Sequence, residues 1–252
     1  MCTVIFIPGR NKFQFASLRD ENPLRPRAIE PSLHTTDRAS FIAPIDALAG
    51  GTWAGFNQFG NVIILLNGAH TKHVRQAYYR KSRGLVVLAL LASELPVVDW
   101  TLMDLEGTEP FTLVVGSEWN LFELLWDGQQ KIKTLLDITK PHIWSSSTLY
   151  NAQAKACRNE LFHQWISKRP KTNRQSLLDF FRTYQDAENG FLMDRNGLIK
   201  TLSYSFIEIN KNKRGLYSYH DLLTDLLCYA EMPISETMAA CHIAEPVIHT
   251  CL

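Results

Sequence analysis

The run Asn61-Val62-Ile63-Ile64-Leu65-Leu66-Asn67 sets five consecutive branched apolar residues between two asparagines. Successive side chains of a strand point to opposite faces, so a strand with one wet face alternates apolar with polar residues. This run does not alternate, and it is short for a helix. It reads as a strand apolar on both sides, which needs cover above and below. The preceding Gly50-Gly51-Thr52-Trp53-Ala54-Gly55-Phe56 reads as its hairpin partner across the turn Asn57-Gln58-Phe59-Gly60, with glycines where backbones approach closely.

Further strands are predicted at 2–7, 13–16, 111–115, 121–126, 131–136, 201–209 and 215–219. Helical spacing predicts helices over 82–94, 147–167, 175–185 and 220–231. The segment 22–49, with prolines at 23, 26, 31 and 44, is expected to be irregular with room for a short hairpin. No repeat, low-complexity tract or clear linker interrupts the chain, so one domain over 1–252 is expected. Strands, then helices, then strands, without regular alternation, predict a layered α+β fold.

Charge narrows the function classes. With 26 basic and 25 acidic residues the formal charge is +1, so no global field draws the chain to nucleic acid or anionic lipid. The basic stretch 72–83 is expected to be a solvated loop or helix start rather than an RNA patch. The greasiest stretch, 85–92, is too short to span a bilayer and reads as a buried helix. Five cysteines, at 2, 157, 228, 241 and 251, contain no CxxC pair, and the eight histidines offer no metal spacing. A reducing compartment, hence a cytoplasmic location, is expected, and the N-terminus lacks the basic leader of a secretory signal.

Cys2 follows the initiator methionine, so removal of Met1 would leave a thiol and a free α-amine on one residue. That amine has an ordinary pKa of roughly 7.7–8.0, so near neutral pH it can take the thiol's proton without a histidine. On position alone Cys2 could instead be a small buried hydrophobe. A Cys157–His163 pair is disfavoured, because six positions apart on one helix they point different ways.

Three segments then line up. Met1-Cys2, Arg19-Asp20-Glu21 followed by Arg25-Pro26, and Gly50-Gly51-Thr52-Trp53-Ala54-Gly55 together resemble the NRDE family, also called transport and Golgi organisation protein 2. Gly60, Leu66-Asn67 and Ser82-Arg83-Gly84-Leu85-Val86 extend the resemblance, which is carried by residues 1–92. The family's Asn-Arg-Asp-Glu reads Leu18-Arg19-Asp20-Glu21 here. NRDE proteins in turn resemble the N-terminal-nucleophile hydrolases that include bile-salt hydrolase and penicillin V acylase. The Gly55-x-Asn57-x-x-Gly60 spacing and the strand ending at Leu66-Asn67 are similar to theirs.

The resemblance implies a four-layer αββα sandwich and no metal or organic cofactor. It implies that Cys2 attacks an amide carbonyl, that Asp20 orients the α-amine, and that Arg19 fixes the local geometry or favours the thiolate. Asn67 would donate to the oxyanion, a role that can contribute on the order of 3 kcal/mol. Ser146 and Lys200 fall near two further family positions, a second asparagine and a late arginine. Read without the resemblance, Arg19 and Asp20 could be an ordinary turn ion pair, Asn67 a strand cap, and Trp53 core. The expected activity is hydrolysis of a linear, non-peptide C–N bond in an acyl amide. The alternatives are a non-catalytic carrier of an acyl or other hydrophobic ligand and a trafficking factor.

Overall fold

The computed structural model describes residues 3–235; Met1, Cys2 and residues 236–252, with Cys241, His242, His249 and Cys251, lie outside the described residues. The first half holds β1 (Thr3–Gly9), β2 (Lys12–Glu21), β3 (Ile29–Thr35), β4 (Ser40–Ile45), β5 (Ala54–Asn57), β6 (Val62–Asn67), α1 (Arg83–Leu91) and α2 (Pro96–Leu102). Then follow β7 (Phe111–Ser117), β8 (Asn120–Trp126), β9 (Lys131–Leu136), β10 (His142–Ser145), α3 (Ala152–Ser167) and α4 (Arg174–Thr183). The last elements are β11 (Asp194–Arg195), β12 (Ile199–Asn210), β13 (Arg214–Asp221) and β14 (Leu226–Pro233).

The strands form two antiparallel sheets. One runs β10-β1-β2-β12-β13-β14, with the short β11 paired to β12; the other runs β3 to β9 in chain order. Alternate residues of the first sheet enter different cores. Val4, Phe6, Phe13, Phe15, Ile207 and Ile209 face the second sheet. Ile5, Ile7, Ala16, Leu18, Tyr204 and Phe206 face outward, under Phe162 of α3 and Leu177, Leu178 and Phe181 of α4. The second sheet is covered in turn by α1, whose Val86, Val87, Leu90 and Leu91 are buried. The result is the expected αββα sandwich. Each of those four helix side chains gains about 1.5–3 kcal/mol from burial, which is why so short a helix is stable there.

Two details of the sequence lock α1 in place. A Cβ on Gly51 would lie 2.6 Å from the backbone carbon of Gly84, so the helix start rests directly on the segment before β5. At its other end, the Asn57 amide donates to the carbonyls of Leu91 (3.1 Å) and Ser93 (2.7 Å). The Asn57 Oδ1 accepts from the N–H groups of Phe59 and Asn61. One buried side chain thus satisfies both the hairpin turn and carbonyls at the end of α1 and just beyond it. Gly60 closes the turn with φ of 80°. The Gly-x-Asn-x-x-Gly pattern is therefore architectural.

Several expectations are corrected. Residues 22–49 are more regular than expected, the hairpin the sequence left room for being β3 and β4, with Pro31 at a register irregularity of the edge strand and Pro44 beyond the pairing with β5. The helix expected over 220–231 is instead the end of β13, a turn and most of β14, which pairs residue by residue with β13. Asp221 Oδ1 accepts from Leu223 and Thr224 N–H groups, and Asp225 adopts a φ of 58°, which breaks any helix. The helix expected from 147 begins at Ala152, because Asn151 caps it by accepting from Ala154 N–H at 2.9 Å. The strand expected over 13–16 runs on to Glu21, while α2 and β10 were not anticipated. Among the described residues no helix is long and apolar enough to cross a membrane.

Asn57→Ala should cost about 3 kcal/mol, since each stranded buried group costs about 1–3 kcal/mol. The urea midpoint should fall with the m-value unchanged.

Candidate active site

β1 starts with Thr3 paired to Leu18 of β2 and Ser145 of β10. One step further along those two neighbours stand Arg19 and Ser146. Because β2 is covered on both faces, its consecutive residues part company here. Arg19 turns towards the second sheet, and Asp20 towards the segment preceding α3 and the start of β12.

Arg19 is held on two sides. Its guanidinium lies 4.6 Å from the Trp53 ring centroid and donates to Asp46 Oδ2 at 2.9 Å. Asp46 also takes a two-pronged bond from Arg25, at 2.8 and 2.9 Å, and the N–H of Leu48 and Ala49. Burial pushes the Asp46 carboxyl up, but Arg25, the Ala49 N–H and the charge of Arg19 outweigh it and hold it below its ordinary value. Trp53 is both core and platform, being 4% exposed.

Asp20 is buried, and its two oxygens accept from Thr201 Oγ1 (2.7 Å) and Tyr150 OH (3.0 Å). The β2–β12 register slips between Thr201 and Ser203, opposite Asp20 and Arg19. Such irregularities re-aim side chains, and here one lets two neighbouring charges take separate partners. Leu18 packs in the outer apolar core at zero exposure and pairs with Thr3 and Tyr204, so at this position the chain has a packing group.

Asn67 ends β6. Its carbonyl accepts from Ser146 Oγ at 2.7 Å, a bond that ties the two sheets together. Asn67 and Arg19 line one cavity of about 110 Å³ with Asp46, Trp53, Ser82 and Arg83. Arg83 is paired with Glu109 at 3.0 Å. A second cavity of about 260 Å³, lined by Gly68, Glu123, Ser146, Ser147 and Lys155, adjoins the Ser146 side of that bond. Burial lowers the Lys155 pKa.

The structure therefore brings Arg19 and Asn67 together, with Ser146 beside them, and puts Asp20 on the opposite face of the same strand. Cys2 is outside the described residues. Lys200 pairs with Asp194 at 3.1 Å and lines another cavity, with Thr201 but without Arg19 or Asn67. Cys157 is exposed, and His163 Nδ1 contacts the Asn159 carbonyl, so these two do not form a site. The residue that sequence reasoning missed is Arg158 of α3, which is 1% exposed. Its signal was its spacing: four positions from both Ala154 and Phe162, it shares the helix's buried stripe.

Comparisons with known proteins agree with this fold. The family model described as Transport and Golgi organisation 2 matches residues 1–219. Among solved structures, the Caenorhabditis elegans ortholog of N-acylethanolamine-hydrolyzing acid amidase superposes with a TM-score of 0.56 at 12% identity, covering 82% of this chain and 92% of that one. Penicillin V acylase from Agrobacterium tumefaciens gives 0.54 at 13% identity, with 92% and 86% covered. A variant of conjugated bile acid hydrolase from Clostridium perfringens gives 0.58 at 10% identity, with 92% of each chain covered. At such identities the likeness is one of fold. No curated protein matches the chain.

Asp46→Asn should destabilise by about 2–3 kcal/mol at neutral pH, less than the 3–5 kcal/mol of a fully buried broken pair because Arg25 reaches solvent. A depressed carboxyl stabilises above its ordinary pKa of 3.8 and loses that contribution as pH falls through the folded-state value. Denaturation curves of parent and variant should therefore converge in acid below about pH 3.8.

Proposed function

The chain belongs to the Transport and Golgi organisation 2 family, and from that membership and the Arg19–Asn67 cavity we propose an N-terminal-nucleophile amidohydrolase acting on a linear acyl amide. The observation that carries the reading is that Arg19 and Asn67, far apart in sequence, line one cavity where β1 begins. The fold shared with three amidohydrolases supports it.

In this mechanism removal of Met1 exposes Cys2, whose Cα is one peptide link, about 3.8 Å, from that of Thr3. The α-amine takes the thiol proton, and the sulfur attacks the acyl carbonyl. Charge builds on the carbonyl oxygen, and the Asn67 side-chain N–H with a backbone N–H stabilises it. The C–N bond breaks as the new ammonium returns its proton to the leaving amine. Water, deprotonated by the same amine, then hydrolyses the thioester to a carboxylic acid and restores the thiol. Asp20 holds the ammonium. Its carboxylate is held in place by the bonds from Thr201 and Tyr150. Arg19, fixed by Asp46 and Trp53, keeps the cavity wall in place.

Cys2→Ala should abolish hydrolysis across a panel of N-acyl amides while leaving the fold and ligand binding intact. Asn67→Ala should lower kcat by about 10²–10³. The parent's rate should rise with pH as the amine deprotonates, at a pH above the ordinary amine range of roughly 7.7–8.0 because Asp20 favours the ammonium. Binding of the panel with no turnover by the Met1-free parent would replace the enzyme with a carrier.

A further inference from the structure

Three loops frame the Arg19–Asn67 cavity: residues 22–28 after β2, 46–53 between β4 and β5, and 68–82 between β6 and α1. Ala49 and Ser82 line the cavity and are exposed, so it opens to solvent on this side. Each loop carries at least one large apolar side chain into water. Leu24 is 89% exposed, Leu48 65%, Val74 92% and Tyr78 76%. Apolar residues exposed singly are ordinary on a protein surface. Four gathered around one cavity mouth are not. The backbone holds them there. Leu24 N–H donates to Asn22 Oδ1 at 2.8 Å, and Leu48 N–H donates to the Asp46 carboxylate that also holds Arg25. Val74 stands between His73 and Arg75, which lie 3.2 and 3.9 Å from Glu109. Tyr78 precedes Tyr79, whose hydroxyl accepts from Gln76 N–H, and Arg80, which is paired with Asp104.

Charge is the second observation. No acidic residue lies between Asp46 and Glu94 in the sequence, while Lys72, Arg75, Arg80, Lys81 and Arg83 fall in the third loop and the first turn of α1. Glu109 is shared by His73, Arg75 and Arg83, and the Arg75 side chain is still 79% exposed. The formal charge of +1 is therefore spread unevenly, with cations concentrated beside the exposed apolar groups. Lysine is depleted from the centre of protein interfaces. At a lipid surface the same mixture is favourable. Apolar tips enter the acyl boundary, while long cationic side chains keep their heads at the phosphates.

We propose that the mouth of this cavity is a membrane-docking face, which binds the surface of an anionic bilayer through Leu24, Leu48, Val74 and Tyr78 and is steered there by Lys72 and Arg75. Attachment is peripheral, by side chains at loop tips. The inference goes beyond the amidohydrolase reading and applies equally to a carrier, since either takes an apolar ligand that partitions into lipid. Docked face down, the cavity receives such a ligand without its crossing water.

The test is flotation of the full chain with vesicles of about three parts phosphatidylcholine to one part phosphatidylserine. The parent should float with them and stay in the dense fraction with phosphatidylcholine alone. Lys72→Gln with Arg75→Gln removes two charges, each worth about fivefold near such a surface, and should weaken partitioning about 25-fold. Leu24→Ser with Val74→Ser should weaken it about tenfold or more. Leu33→Ser with Leu135→Ser, comparably exposed on the edge strands β3 and β9, should bind like the parent. All these side chains reach solvent, and a melting curve matching the parent's checks that each variant folds. A parent that does not float, floats equally on neutral lipid, or loses as much through the edge-strand pair as through Leu24 and Val74 overturns the proposal. So does a soluble protein partner that the Leu24–Val74 variant releases and vesicles do not displace. Binding is read without turnover. A chain that floats but hydrolyses no acyl amide therefore sinks the hydrolase reading and leaves the docking face standing.

Discussion

Strands buried on both faces govern this structure. When a sheet is covered above and below, no position along the middle of its central strands tolerates an unpaired charge, because neither face offers water. β1 and β6 follow that rule over their whole apolar stretches. Polar chemistry is pushed to the strand ends, where the sheets open. There the start of β1 and the ends of β2, β6 and β10 meet, and there Arg19, Asp20, Asn67 and Ser146 are found. The same covering explains why adjacent residues of β2 have unrelated partners: Arg19 lies between the sheets, and Asp20 lies on the helical side.

The site is tied together by bonds between layers rather than within them. Arg19 of one sheet reaches Asp46 beyond β4 of the other, and Ser146 beyond β10 reaches Asn67 of β6. Arg158 brings a helix to the same place by binding Thr3 and Ser145. Charge is distributed unevenly across these ties. Asp46 carries two arginines, whereas among the described residues Arg158 meets neutral oxygens and aromatic faces. Asn57 and Gly51 belong to a different task, since they seat α1 on the second sheet and thereby cover β6.

Much of this was legible in the order of residues. The non-alternating run at 61–67 announced a doubly covered strand, and the glycines at 50, 51 and 55 announced close approach, which Gly51 meets at the Gly84 backbone. The charged pair Arg19-Asp20 and the strand-ending Asn67 were legible as candidates through the resemblance of residues 1–92 to a known family, since without it they read as a turn ion pair and a strand cap. The misses have physical causes. Residues 220–231 have helical-looking spacing, but a neighbouring strand with open hydrogen-bonding groups captured them as β14. β10 is only four residues long, below what a period-two pattern can reveal. Arg158 looked like a surface arginine on an amphipathic helix, and only its stripe with Ala154 and Phe162 hinted otherwise.

By itself the sequence determined the layers, since apolar periodicity is a property of each segment and states which faces must be covered. It also supplied the candidate site residues, since a cysteine after the initiator and an asparagine ending an apolar strand are local facts that a family resemblance can pick out. Tertiary structure alone decided which of those groups meet. Strand order puts β2 between β1 and β12, and a register slip at Thr201 gives Asp20 its two hydroxyl partners. Packing of α3 decides that a guanidinium stands behind Thr3. Those pairings join residues more than a hundred positions apart, such as Arg158 with Thr3 and Asp20 with Thr201, and no local pattern encodes a contact whose partner is chosen by how the sheets close.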